Sequence, residues 1–175
     1  MECWSNGVLL QATQYSNIPV LQHSSEVYMA VKEITPKEAH DLLAANSDAV
    51  YIDVRSEGEF AKGHPQGAVN IPFAFPDPAR GMMVNSDFVK VVEANFPREK
   101  KIIVGCQAGP RSTAAANLLQ EAGFQDVSNL LGGFGGMRDV TGNVSAPGWA
   151  SAGLPVSNDN GEGVSYQSLS AKAKP

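Results

Sequence analysis

At 175 residues and 43% hydrophobic content, the chain has material for one ordinary domain plus loose ends. Its net charge of −5 supplies no overall basic field, which argues against nucleic acid as a partner and leaves any small anion to be attracted by locally placed charge. The two cysteines, Cys3 and Cys106, lie in unlike settings, so no structural disulfide is expected and a reducing compartment fits.

Residues 1–26 contain no Lys or Arg, so neither the charged start of a secretory signal nor an Arg-rich transit peptide is visible. No run approaches the ~18 apolar residues of a membrane span. The expected location is therefore soluble and intracellular, in the cytoplasm or inside an organelle such as a plastid or mitochondrion. Met29-Ala30 precedes the first organised segment, and residues 1–30 are read as a poorly ordered extension of which 1–28 are dispensable. The domain itself is expected over 31–155.

Thr35-Pro36-Lys37-Glu38 opens the first helix, with Thr35 as cap, Pro36 at the first helical position and Glu38 completing a capping box. Ala49 to Val54 is short, β-branched and nearly all apolar, the pattern of a strand buried on both faces in a parallel sheet. A short helix over Glu57 to Ala61 and a strand over Ala68 to Ile71 follow, and the prolines from Phe73 to Gly81 predict a loop. Ser86 or Asn85 is placed to cap a helix through Phe88, Val91, Val92 and Phe96. The strand 101–105, a helix carrying Ala115, Leu118, Leu119 and Ala122, and a strand near Val127 to Leu131 complete an alternating α/β pattern around a mostly parallel sheet. Past Val156 the chain is rich in Ser, Asn, Gly and Lys, so 156–175 is read as a flexible tail.

Cys106 stands where the strand 101–105 ends, and Cys106-Gln107-Ala108-Gly109-Pro110-Arg111-Ser112 leads directly into a helix. Such a junction gathers backbone N–H groups and the positive end of a helix around one atom. For a thiol this favours the thiolate, so Cys106 is the candidate nucleophile. Within the loop, Gly109 supplies a backbone angle that side chains disfavour, and Ser112 is the expected N-cap. Pro110 removes one N–H from the cradle and should restrict Gly109 to extended angles. Arg111 has two open tasks: to reach an anionic substrate, or to turn away and hold the loop through a carboxylate.

Two separated segments then carry a family resemblance. Asp53-Val54-Arg55-Ser56-Glu57-Gly58-Glu59-Phe60 through Gly63-His64-Pro65-Gln66-Gly67-Ala68 to Pro72 resembles the upstream signature of rhodanese domains, and Cys106 to Ser112 resembles their active-site loop. A Gly-Gly-Phe segment at 132–134 follows in the same order, although the family's Trp near position 137 is Met137 here. The resemblance implies a rhodanese-like α/β fold with a five-stranded, mostly parallel central sheet flanked by helices. It further implies a thiosulfate-type sulfurtransferase in which Cys106 carries sulfur as a persulfide.

On that reading Gln107, Ala108, Gly109, Arg111 and Ser112 bind the substrate, while Asp53, Arg55, Glu59 and His64 support the site. No cofactor and no metal are expected. The implied partners are a small anionic sulfur donor and a thiol acceptor such as thioredoxin or glutathione, with neither nucleic acid nor membrane, and the chain acting as a monomer. Two alternatives remain: a non-catalytic binding or redox-sensing module, and a Cys-dependent phosphatase of the same fold. Four residues separate Cys106 from Arg111, one fewer than the phosphatase loop requires, and the shorter loop suits a single sulfur atom.

Overall fold

The structure, a computed structural model, describes residues 30–174. All but the last residue of the expected N-terminal extension, Cys3 included, lies outside these. The described chain opens on a strand that periodicity does not reveal, β1 (Lys32–Ile34). Helix α1 (Pro36–Ala45) begins with the expected capping box, Thr35 accepting from the Glu38 N–H while the Glu38 carboxylate accepts from the Thr35 N–H. Then come β2 (Ala49–Asp53), α2 (Glu57–Phe60), β3 (His64–Pro65) and β4 (Val69–Asn70). The expected loop after Phe73 is instead a hairpin, β5 (Ala74–Asp77) paired antiparallel with β6 (Gly81–Val84). Asp77 Oδ1 accepts from the N–H groups of Ala79 and Arg80, which makes the turn that the prolines alone did not announce.

Helix α3 (Phe88–Asn95) starts one residue later than a Ser86 cap would place it and two later than an Asn85 cap would. Asp87 occupies the N-cap without a side-chain bond, and Asn85 Oδ1 instead accepts from the Asp87 N–H. The second half comprises β7 (Lys101–Gly105), α4 (Pro110–Glu121), β8 (Asp126–Leu130), β9 (Met137–Arg138), β10 (Val144–Ala146), β11 (Val156–Ser157) and α5 (Tyr166–Ala171).

Five strands form one parallel sheet in the order β1-β8-β7-β2-β4. The neighbouring inner strands β2 and β7 read as near-continuous apolar runs because successive side chains feed opposite layers. Val50, Ile52, Ile102 and Val104 pack with Phe88, Val92 and Leu119, whereas Tyr51 and Ile103 pack with Ala39, Phe60 and Trp149. Each such fully buried large side chain stabilises the fold by about 1.5–3 kcal/mol. Trp149 is buried edge-on against Tyr51, and its indole N–H donates to the Pro155 carbonyl, so this indole sits in the core twelve residues beyond Met137.

The C-terminal residues, expected as a flexible tail, carry structure. β11 pairs antiparallel with β3, the Asn70 N–H donates to the Val164 carbonyl, and Leu169 of α5 is buried in the main core. Backbone pairing and one apolar anchor order a segment whose composition alone argues for disorder. The sheet's C-terminal edge, where ligands bind in open parallel sheets, is where β2 and β7 deliver Asp53 and Cys106.

Candidate active site

Cys106 is 1% exposed, and its sulfur sits inside the turn that follows β7. The Gly109 N–H donates to Sγ at 3.1 Å. The Ser112 hydroxyl lies 3.4 Å from Sγ and 2.9 Å from the Gly109 carbonyl, so its single proton can serve either. Burial opposes ionisation of the thiol. Hydrogen bonds from the Ser112 hydroxyl and from the N–H groups of Ser112, Gly109 and Ala108 outweigh it, and they hold the thiol below its ordinary range.

What turns those N–H groups inward is a second segment. The Phe134 N–H donates to the Cys106 carbonyl at 2.7 Å, and the Gly135 N–H to the Gln107 carbonyl at 2.9 Å. Carbonyl and N–H point in opposite directions across a trans peptide, so holding the Gln107 carbonyl outward turns the Ala108 N–H to the side of the sulfur. The approach is too close for side chains: a Cβ on Gly133 would lie 2.4 Å from the Cys106 oxygen.

The upstream segment braces the loop from its other side. Asp53 accepts from the Arg55 backbone N–H at 3.0 Å and from its Nη2 at 2.7 Å. Arg55 then donates through Nη2 to the Gly63 carbonyl and through Nη1 to Gln107 Oε1, and its guanidinium lies 4.2 Å over the Phe134 ring. Asn70 Nδ2 ties the turn itself by donating to the carbonyls of Asp53 and Arg55. Gln107 therefore uses its side-chain oxygen as a strut toward Arg55.

A second guanidinium–carboxylate pair joins α2 to α4. Arg111 donates through Nη1 and Nη2 to the two Glu59 oxygens, each at 2.8 Å. Arg111 lowers the Glu59 carboxyl to about 2, burial acting the other way, and bonds from Ser56 add to the lowering. The same carboxylate raises Arg111. Of the two tasks open for Arg111, the structure shows the carboxylate one. Glu59 also closes a capping box with Ser56, so one carboxylate starts α2 and anchors α4.

Three readings of the loop change. Ser112 is not the N-cap, because Gly109 takes that place and Pro110 begins the helix, which puts the Ser112 hydroxyl over the sulfur. Gly109 is not extended, having φ 123° and ψ −52°, angles that only a residue without a Cβ adopts easily. Pro110 occupies the first helical turn, where an N–H has no intrahelical partner in any case. His64 is buried and stacked on Phe60, with Nδ1 2.9 Å from the Phe60 carbonyl, so it packs beneath the site. The roles of Phe134, Gly133 and Gly135 escaped the sequence reading. The signal was the run of glycines at 132–136, a mark of close backbone approach.

Comparison with known proteins follows the same outline. The rhodanese-like domain model matches residues 35–139, which include both the upstream segment and the loop. Thiosulfate sulfurtransferase 16, chloroplastic, of Arabidopsis thaliana is 42% identical over 118 residues, covering 67% of this chain and 86% of that protein. Thiosulfate sulfurtransferase GlpE of Haemophilus influenzae (strain PittEE) is 31% identical over 129 residues, 73% of this chain and 96% of that one. Three further plant relatives are matched over about half their length. Among solved structures, Rv0390 from M. tuberculosis aligns with a TM-score of 0.62 at 33% identity, covering 74% of this chain and 98% of that chain. A matching domain model over more than half the chain thus joins a parallel sheet that ends in a braced cysteine loop, and the chain belongs to the rhodanese-like domain family.

Proposed function

We propose that this protein is a sulfurtransferase that takes a sulfane sulfur from thiosulfate or a similar donor and holds it on Cys106 as a persulfide. The observation that carries the reading is the Cys106 sulfur itself, buried yet surrounded by donors from Ala108, Gly109 and Ser112 that favour its anion. The thiolate attacks the outer sulfur of the donor, a new S–S bond forms to Sγ, and the donor's own S–S bond breaks to release sulfite. The same N–H groups then face the bound persulfide, an electrostatic stabilisation that needs no reorganisation during the step. Relatives named thiosulfate sulfurtransferase support this assignment. The loop, one residue shorter than a phosphatase needs, weighs against phosphoryl chemistry.

The acceptor is proposed to be a thiol. Among the described residues no helix is long and apolar enough to cross a membrane, and the relatives named chloroplastic or mitochondrial are compatible with an organelle interior.

The test is thiocyanate formation from thiosulfate and cyanide. Wild-type protein is expected to turn over, and Cys106→Ser to lose at least ~10³-fold in kcat, as removal of a nucleophile does. Protein incubated with thiosulfate alone is expected to gain the mass of one sulfur atom, removable by a reductant. Activity surviving in Cys106→Ser, or hydrolysis of an aryl phosphate in place of sulfur transfer, would refute the reading.

A further inference from the structure

The hairpin that follows Pro72 stands apart from the parallel sheet, and each of its strands has only the other as partner. Along β6 three large apolar side chains follow one another into solvent, Met82, Met83 and Val84 being 47%, 43% and 63% exposed. The Asn85 N–H donates to the Phe73 carbonyl at 2.8 Å, and the hairpin register sets these two residues opposite each other. Bonded and non-bonded pairs alternate along an antiparallel ladder, so Phe75–Met83 and Asp77–Gly81 are bonded pairs, whereas Ala74–Val84 and Pro76–Met82 are not. Met82 and Val84 therefore aim their N–H and C=O groups away from β5, and no other described backbone group meets them.

The two outer edges of the hairpin differ. Natural sheets blunt an edge with proline or charge, and β5 carries Pro76, which has no N–H to offer. β6 is Gly81-Met82-Met83-Val84 and has neither device. Its flanks, however, are charged and opposite in sign, with Arg80 before the strand and Asp87 after it. Among the described residues neither forms an ion pair, and the Asp87 carboxylate makes no cap bond to α3.

We propose that β6 is a self-association edge, and that its occupant is β6 of a second copy, paired antiparallel about a two-fold axis at Met83. This register sets Met82 of one copy opposite Val84 of the other, so every outward N–H and C=O of both residues finds a partner. It also brings Arg80 opposite Ser86 and beside Asp87 of the other copy, on each side of the axis, so the free charges complement one another. The two Met83 side chains meet in the closely spaced, non-bonded position. There they close over the cleft of about 310 Å³ that Phe75, Met83 and Tyr166 line in each copy. Because Pro76 blocks the other edge, pairing ends at a closed dimer in place of a growing sheet. A four-residue edge belongs to the small, weak class of interfaces, with a Kd of about 10–100 µM. This state replaces the monomer that the family resemblance implies, and it is independent of the sulfurtransferase reading.

The test is sedimentation equilibrium of the full chain from about 5 to 500 µM, a span that brackets the expected Kd. The mean mass of wild type is expected to rise from one chain toward two. Met82→Pro removes an outward N–H while sparing the bonds to β5, and Val84→Lys puts a charge on the edge, so each is expected to weaken association at least tenfold. Thermal unfolding of each variant at low concentration checks that the hairpin change leaves the domain folded. Arg80→Glu is expected to weaken the dimer about threefold, and Arg80→Glu with Asp87→Lys to restore it. A chain that stays monomeric at 500 µM would overturn the proposal and leave the edge to a foreign strand. A dimer indifferent to both edge variants would place the contact elsewhere, species beyond the dimer would refute the closed two-fold, and failure of the charge swap to rescue would refute the register.

Discussion

Two guanidinium–carboxylate pairs flank the loop, and they differ in burial far more than in bond geometry. In the Asp53–Arg55 pair the side chains are 1% and 3% exposed, and Arg55 extends the pair to Gly63, Gln107 and Phe134. In the Glu59–Arg111 pair they are 34% and 24% exposed, and two parallel bonds join one helix to another. A buried pair matters chiefly through what its loss leaves uncompensated, whereas a pair near water contributes a screened attraction. The first should therefore govern whether the scaffold stands, and the second how firmly α4 is held over the sulfur.

The largest effect expected from this contrast is that of Asp53→Ala. It leaves the Arg55 charge buried without a partner, a loss of about 3–5 kcal/mol. For a domain of this size that lowers Tm by roughly 6–20 °C, measurable by thermal unfolding followed by circular dichroism. A drop no greater than that of Glu59→Gln would break the comparison, since the two pairs would then be equivalent.

Sequence patterning exposed the parts of the fold where local and tertiary preferences agree. Val50 to Asp53 and Ile102 to Gly105 read as doubly buried strands because they are, and Thr35 with Glu38 caps α1 by contacts three residues apart. Cys106 was legible as the candidate nucleophile because strand, glycine and helix start are adjacent in the chain. What was hidden depends on residues far apart or on backbone alone. β1 is three residues long with a single buried side chain, too short for periodicity to register. The C-terminal segment is ordered by the carbonyls of Pro155 and Val164 and by Leu169, none of which composition reveals. Ser112 looked like a cap because cap preference is a local statistic, whereas Gly109-Pro110 starts the helix earlier and frees the hydroxyl for sulfur. Glu59 and Arg111 lie 52 residues apart, and no spacing rule pairs them.

Glu59→Gln sharpens the comparison, because Gln keeps an oxygen for the Ser56 cap and removes only the charge. The Glu59 carboxyl sits at about 2 in the folded protein against an ordinary 4.5, so its folded-state pKa is depressed. The stability it contributes is then fully present above pH 4.5 and is lost as the pH falls through about 2. Solvent screening at this exposure reduces that contribution to about 1–2 kcal/mol. Urea unfolding at pH 7 is expected to show that deficit in Glu59→Gln, and the gap from wild type should close as the pH is lowered from 4.5 toward 2. Raising the salt to about 1 M, where the Debye length is about 3 Å, should narrow it at neutral pH as well. A deficit unchanged by acid and salt would mean that the pair acts by packing.

The smallest effect separates bracing from recognition at Arg111. Glu59→Gln and Arg111→Ala remove the same bridge, so if Arg111 only braces the loop, both should change the KM for thiosulfate by the same factor, within about twofold of each other. A guanidinium that also met the donor's sulfonate would give a different pattern. Glu59→Gln would then free it and leave or lower KM, whereas Arg111→Ala would raise KM alone. Steady-state thiocyanate formation with the two single variants and the double variant decides. The bidentate contact at 2.8 Å on both oxygens predicts the first outcome, with the double variant no worse than either single one, because a bridge can be removed only once.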